Sequence, residues 1–413
     1  MRPSPLIRLD SSHPDERTWP WPATHAGIVL RCDAANLETT LHRGEHLLAT
    51  WKNPLEALGW LGSADAWSDR ETPHARDRWI GFLSYDLGRL FETISPQPAR
   101  GDELPLFAFA RCREEHAPAG SDPDTGHSAA MPISSSAALR STFTPAGYRA
   151  AVGRVIDYIR AGDVFQVNLS QRFTLPCRIP LASVYARLLR DSPAHYGGLL
   201  DFGDFALISN SPELFLRTGT PSDGRRRIIT RPIKGTRPCL SGMDVQLRDS
   251  VKDQAELNMI VDLERNDLGR ICEIGTVKVT QPRTIEAHPT VYHGVATVEG
   301  ILRPDVNFVD ILGATFPGGS VTGAPKIRAM QIIDELEPVS RGPYCGAIGH
   351  LSADGSMEFN VAIRTMIVRD GQAHVPVGGG IVADSDPAAE YEETLVKARA
   401  MFTALGVSAE DPL

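Results

Sequence analysis

The stretch from Thr144 to Phe173 reads TPAGYRAAVGRVIDYIRAGDVFQVNLSQRF, and its hydrophobic period changes half way along. Thr144 followed by Pro145 is a helix start: a hydroxyl cap, then a proline whose missing N–H costs nothing in the first turn. Tyr148, Val152, Val155 and Ile159 then recur at helical spacing, and Gly162 is a stop. Beyond it the period falls to two. Phe165, Val167, Leu169 and Phe173 face one way, and Gln166, Asn168, Ser170 and Arg172 the other, which predicts a half-buried strand with a polar second face.

The same signals recur downstream. Helices are predicted over roughly Ser250 to Glu264, over Lys326 to Leu336 behind the glycine-rich PGGSVTGAPK, and after Asp386-Pro387, where Tyr391, Leu395, Ala398, Phe402 and Leu405 form a stripe. RIIT, VKVT, AIGHL, NVAIRTMIV and HVPVGGGIV read as strands between them. Helices and strands mix without a βαβ alternation, so the expected fold is α+β, a layered β-sheet core flanked by helices. From Glu114 to Ser141 the chain is rich in Ala, Pro, Ser, Gly and Asp, which predicts a flexible linker. The expected organisation is therefore an N-terminal part over 1–113, a linker over 114–141 and a main region over 142–413.

Bulk properties exclude several classes. A 42% hydrophobic content over 413 residues supports a core of ordinary size. A net charge of -9 argues against nucleic acid as a partner. No run of about 18 apolar residues is present, so no membrane span is expected. The six cysteines are scattered, with no C-x-x-C pair, and the N-terminus has no continuous apolar stretch. Both points predict a reduced, cytoplasmic protein.

Several residues carry chemistry, each with an ordinary alternative. Glu256 shares a helix face with Ile260 and Leu263; a carboxylate there needs a cation or metal beside it, or a route to water. Glu390 and Glu393, one turn apart, suit a hard cation, but acids in a first turn also complement the helix dipole. Gly378, Gly379 and Gly380 let a backbone approach an anion, or simply make a bulge or turn. PGGSVTGAPK lacks the Lys-Ser/Thr of a nucleotide loop, yet a glycine-rich turn opening a helix suits a carboxylate. Lys234 lies between Arg231 and Arg237; burial or nearby cations would release its amine as a nucleophile, whereas a basic surface loop would leave it charged. Arg364 inside NVAIRTMIV pairs with a substrate carboxylate or with a structural one. His293 is a general acid or base, or a satisfied core histidine.

Taken in order, GDVFQVNLSQRF, SPELF, RPIKGTRP, AELNMIVDLERNDLGR, FPGGSVTGAPKIRAMQIIDELEP, IRT and GGGIVADSDPAAEYEET resemble the chorismate-utilising family of anthranilate, aminodeoxychorismate, isochorismate and salicylate synthases. The resemblance runs from about Thr144 to Leu405, and GFLSYDLGRLFET adds to it. It implies a magnesium ion held by Glu256 and Glu393, with Glu390 close by. It implies chorismate contacts from Arg364, Tyr344, Thr322 and the backbone of Gly378 to Gly380. Glu213 of SPELF resembles the acid that assists departure of the C4 hydroxyl, and His293 matches an active-site histidine.

Two positions divide that family. Lysine in PIKGT, here Lys234, marks the branch that aminates chorismate without releasing pyruvate, where anthranilate synthases carry alanine. Isochorismate and salicylate synthases place a water-activating lysine where this chain has Gln166. The implied activity is amination of chorismate through a covalent Lys234 intermediate, in the route to p-aminobenzoate and folate. An anthranilate synthase component or a non-catalytic regulatory homologue are the alternatives. The chain carries no nucleophile elbow of the glutaminase type, so a glutamine amidotransferase subunit is the expected partner.

Overall fold

The computed structural model describes residues 4–11, 19, 21–68, 77–92, 94, 104–113, 139–221 and 223–407. Among them, the strands form two antiparallel sheets of nine and twelve strands. The nine-stranded sheet runs Gly323–Ala324, Gln166–Pro176, Gln372–Ile381, Thr365–Arg369, Ala206–Ser211, Tyr196–Asp201, Leu6–Asp10 and Trp21–His25, with Arg140–Ser141 beside the second of these. The twelve-stranded sheet carries Ile233–Pro238, Val291–Ile301, Arg227–Arg231 and Leu214–Gly219 at one end. Met357–Val361, Ala347–Ser352, Asp77–Leu83, Phe107–Arg113, Ile28–Cys32, Thr39–Arg43 and His46–Trp51 continue it, and Lys278–Ala287 pairs with Val291–Ile301.

Strand alternation explains how the layers stack. In Asp77–Leu83, Ile80 and Phe82 join a core shared with Leu200 and Leu207 of the other sheet. Trp79 and Leu83 point the opposite way, into a core under the helices Pro54–Leu61 and Phe308–Thr315. The nine-stranded sheet does likewise: Leu199 and Ile208 face the helices Pro145–Arg160, Leu181–Asp191 and Pro387–Ala404. The result is helices, sheet, sheet, helices: the α+β layering expected. No described helix is long and apolar enough to cross a membrane.

The cap signals set the helix starts. The Thr144 hydroxyl accepts from the Gly147 N–H, the Ser250 hydroxyl from Asp253, and the Asp386 carboxylate from Ala388 and Ala389. The helix from Val251 runs on to Gly269, beyond the expected end, and Lys326–Leu336 lies where the sequence places it.

Two strand readings change. Gln166–Pro176 is a strand, but its polar face is buried too: Gln166, Asn168 and Ser170 are enclosed, while Phe165 is 70% exposed. NVAIRTMIV is two strands in two sheets. Met357–Val361 belongs to the larger and Thr365–Arg369 to the smaller, and the chain crosses at Arg364 with φ +51°. Of the predicted linker, residues 114–138 lie outside the described residues, and Arg140–Ser141 pairs with Thr174 and Phe173. The N-terminal part supplies strands to both sheets: Leu6–Asp10 pairs with Tyr196–Asp201, and Asp77–Leu83 with Ala347–Ser352.

A buried ion pair ties the polar strand face to its surroundings. Arg341 and Glu337, with side chains 2% and 4% exposed, meet at 2.6 Å. The Arg341 guanidinium also donates to the carbonyls of Val321 and Asn168, and Glu337 accepts from the Ser170 N–H and hydroxyl. Removing one partner strands the other charge in a dry site. Arg341→Met should therefore destabilise the fold by about 3–5 kcal/mol in urea unfolding; a loss under about 1 kcal/mol would show that the pair is not needed for stability.

Candidate active site

Three kinds of element converge on one cleft. Glu213, Lys234 and His293 come from the twelve-stranded sheet and the turn before Leu214, Gln166 and Gly378 to Gly380 from the nine-stranded sheet, and Glu256, Glu390 and Glu393 from two helices. The triple glycine is no turn. It is the end of the strand Gln372–Ile381, paired in register with Ser170, Leu169 and Asn168. Its other edge pairs only as far as His374 among the described residues, so the backbone edge at the glycines faces the cleft without a strand beside it.

A side chain there would crowd what stands close, and at Gly378 it would strike backbone. A Cβ at Gly380 would lie 3.2 Å from Lys234 Nζ and from Gln166 Nε2. One at Gly379 would lie 3.1 Å from Glu390 Oε2 and 3.6 Å from Glu393 Oε1. One at Gly378 would meet the Leu169 carbonyl at 2.5 Å. Lys234, Gln166 and the two glutamates thus all abut one short piece of bare backbone.

Electrostatics set the protonation states. Burial pulls the Lys234 amine below its ordinary value, opposed by the carboxylates of Glu256 and Glu213. Burial pushes Glu213 up to about 7, opposed by a hydrogen bond from Ser320 and by Lys234. A carboxylic acid still protonated near neutrality can donate a proton. Burial also raises Glu256 and Glu390. Glu393 is lowered, chiefly by Lys397, which it meets at 2.6 Å. Lys397 also donates to the Gly378 carbonyl at 2.9 Å.

The remaining candidates are placed as follows. His293 Nδ1 lies 3.0 Å from the Thr236 hydroxyl, and burial, His288 and Arg364 hold its pKa down to about 3, so the ring is neutral. Tyr344 is buried, and burial lowers the Arg364 guanidinium from its ordinary value, opposed by Tyr344 and Glu393. Thr322 is fully buried, and its hydroxyl donates to the carbonyls of Gly318 and Gly319, locking the turn Gly319–Val321. The Gln166 amide is fully buried, with neither its oxygen nor its nitrogen hydrogen-bonded. A buried amide left so is costly unless a guest satisfies it.

The three acids suit a hard divalent cation by donor chemistry, carboxylate oxygens only, and Glu390 and Glu393 meet over Gly379, but the three together do not stand within 4.8 Å of one another. Lysines stand among them, with Lys397 on Glu393 and Lys252 4.0 Å from Glu256. Ser320, Lys252 and Glu264 join the site without having been singled out in the sequence. Glu264 is buried and bonded by the Thr230 hydroxyl at 3.0 Å, and burial, reinforced by Glu213, pushes its carboxyl well above the usual range. Its signal was present, since it continues the face of Glu256 and Ile260 at the next helical turn.

The chain has relatives in both sequence and fold among known proteins. The family described as chorismate binding enzyme matches residues 26–403. Aminodeoxychorismate synthase component 1 of Bacillus subtilis is 35% identical over 411 residues, covering 90% of this chain and 86% of its own length. The Salmonella typhimurium protein of the same name is 37% identical, covering 91% and 85%. Anthranilate synthase component 1 of Pseudomonas aeruginosa is 45% identical over 277 residues, but this covers 66% of the chain and 55% of that relative. The chain thus spans little more than half the length of such anthranilate synthases. The crystal structure of anthranilate synthase component I from Streptococcus pneumoniae superposes with a TM-score of 0.76 at 29% identity, covering 96% of this chain and 92% of that one. With the match spanning both sheets and every element that lines the cleft, the chain belongs to the chorismate-binding enzyme family.

Proposed function

We propose that this protein aminates chorismate to 4-amino-4-deoxychorismate, using ammonia from a separate glutamine amidotransferase subunit, in the route to p-aminobenzoate and folate. The observation that carries the reading is the Lys234 amine, desolvated and set against Gly380 beside the unbonded amide of Gln166. A surface lysine in a basic loop would show neither feature.

In this reading Lys234 Nζ forms a bond to C2 of chorismate, both ring double bonds shift by one position, and the C4–O bond breaks. The departing hydroxyl takes the Glu213 proton and leaves as water. Ammonia then forms the C4–N bond, the double bonds return, and the bond to Lys234 breaks. The Glu213 carboxylate takes the excess proton from the new ammonium. Arg364 and Tyr344 hold a substrate carboxylate, with Thr322, whose hydroxyl oxygen can still accept, and the backbone edge of Gly378 to Gly380, whose Gly378 carbonyl Lys397 already holds, completing the cradle. Neutral His293 is a hydrogen-bonding group on the substrate side of the larger sheet. Glu256, Glu390 and Glu393 would hold a magnesium ion, whose charge would offset that of the substrate carboxylate.

Anthranilate synthesis is the second reading, favoured by the 45% identity to the Pseudomonas enzyme. Chromatography of products from chorismate, magnesium and ammonium separates the two. Aminodeoxychorismate should form, chelation should abolish turnover, and added magnesium should restore it; accumulation of anthranilate would give the second reading preference. Lys234→Ala should lose activity with glutamine and with ammonia alike, and a full rate in that variant would exclude the covalent step.

The pH profile tests the proton donor. Glu213 donates only while protonated, so with neutral ammonia held constant kcat/KM should fall as pH rises through about 7. It should also fall wherever Lys234 gains its proton, since burial lowers that amine from its ordinary value and only its neutral form attacks. Glu213→Gln should lower kcat by on the order of 10²–10⁴-fold and remove the alkaline fall. An alkaline limb unchanged in that variant would assign it to another group.

A further inference from the structure

Behind His293 lies a second cluster that the amination chemistry does not use. His195, Glu286 and His288 each offer a ligand atom, and these atoms all lie within 4.8 Å of one another. Among the described residues this is the one set of three His, Cys, Asp or Glu side chains so close. Both imidazoles are buried, His195 8% and His288 5% exposed, and their rings meet edge to face at 4.9 Å.

The fold builds the cluster from two directions. Glu286 and His288 are two apart at the end of Lys278–Ala287, so strand alternation puts them on one face. Glu286 pairs across the sheet with His293, which brings that face toward the active site. His195 arrives from the other sheet, immediately before Tyr196–Asp201. Arg231 holds one oxygen of Glu286 in an ion pair, leaving the second for a ligand bond; metal-bound carboxylates are commonly oriented by such a partner.

We propose that His195, Glu286 and His288 form a binding site for a borderline transition-metal dication such as Zn2+, bridging the two sheets beside the active site. Two imidazoles and one carboxylate suit Zn2+, Ni2+ or Co2+, and not magnesium, which takes oxygen ligands. Geometry permits it: a centre equidistant from three atoms 4.8 Å apart is about 2.8 Å from each, so reaching bonds of about 2.1 Å asks each to move by less than an ångström. His288 also meets His293 edge to face at 4.8 Å, so an ion here would fix the ring against which the active-site histidine rests.

The test uses the whole chain saturated with magnesium, in a Cys239→Ser background because that thiol is exposed. Zn2+ is titrated against a chromogenic chelator, and Co2+ is followed by its visible absorption. One equivalent should bind per chain, resist excess magnesium and give a cobalt spectrum of mixed imidazole and carboxylate ligation. His195→Asn with His288→Asn, chosen to preserve shape, should weaken binding by more than the roughly 10–100-fold that loss of an outer partner costs. His46→Ala, at an exposed position, should bind as before. Circular dichroism of the metal-free double variant establishes that it folds, and His195→Asn alone serves if it does not. Absence of a magnesium-resistant equivalent, or its survival in these variants, would overturn the proposal.

Discussion

Burying a guanidinium and a carboxylate together costs several kcal/mol of desolvation per ion, recovered only when every remaining hydrogen-bonding group finds a partner. Arg341 and Glu337 meet that condition by reaching outward. The guanidinium takes the carbonyls of Asn168 and Val321, and the carboxylate takes the N–H and hydroxyl of Ser170. The Tyr85 ring covers the cation at 4.5 Å, and the neighbouring Gly342 N–H donates to Asp86. One ion pair thereby fastens the strand that carries Gln166, the turn that carries Ser320 and Thr322, the loop that carries Tyr344 and an N-terminal segment. Much of what surrounds the cleft is referred to this point.

Within the cleft, one physical cause acts on groups of opposite charge. Dehydration favours the neutral form of each. It raises Glu213 and lowers Lys234, so an acid and an amine ordinarily far apart are brought toward neutrality from opposite sides. Each opposes the other's shift, since either charge stabilises its partner. Removing one would therefore move the other, and the two are best regarded as a coupled pair. Glu393 escapes the trend because Lys397 supplies a countercharge outright.

Helices were legible in the sequence where a cap and a stripe coincided, as at Thr144 and Asp386. The strand polarity of Gln166–Pro176 was legible, but its burial was not. A polar face normally signals water, and the enclosing charges come from Glu337 and Arg341, more than 160 residues away. The break in NVAIRTMIV was hidden for another reason. Apolar residues continue through it, since both strands are core strands, and the turn falls on an arginine with φ +51° where glycine would have announced it. The candidate site was legible mainly as motif order. Residue by residue the glutamates had ordinary explanations, and only the backbone brings Glu390, Glu393 and Lys234 against the same three glycines.

That crossing at Arg364 explains why the site lies where it does. A non-glycine residue in the left-handed region costs of order 1–3 kcal/mol and persists only where its surroundings impose it. Here the strand before Arg364 is committed to the twelve-stranded sheet and the strand after it to the nine-stranded sheet. Its carbonyl is held by the Asn210 N–H at 3.1 Å. The nucleophile and acid candidates belong to one sheet and its edge, and the glycine backbone and Gln166 to the other. The distance from the reacting groups to the glycine backbone and Gln166 is therefore an inter-sheet distance. It is maintained by the packing of Ile80, Phe82, Leu200 and Leu207 between the layers, remote from the cleft itself. Close-packed interiors yield little, so the aromatic and aliphatic filling between the sheets sets the spacing across which Lys234 meets Gly380.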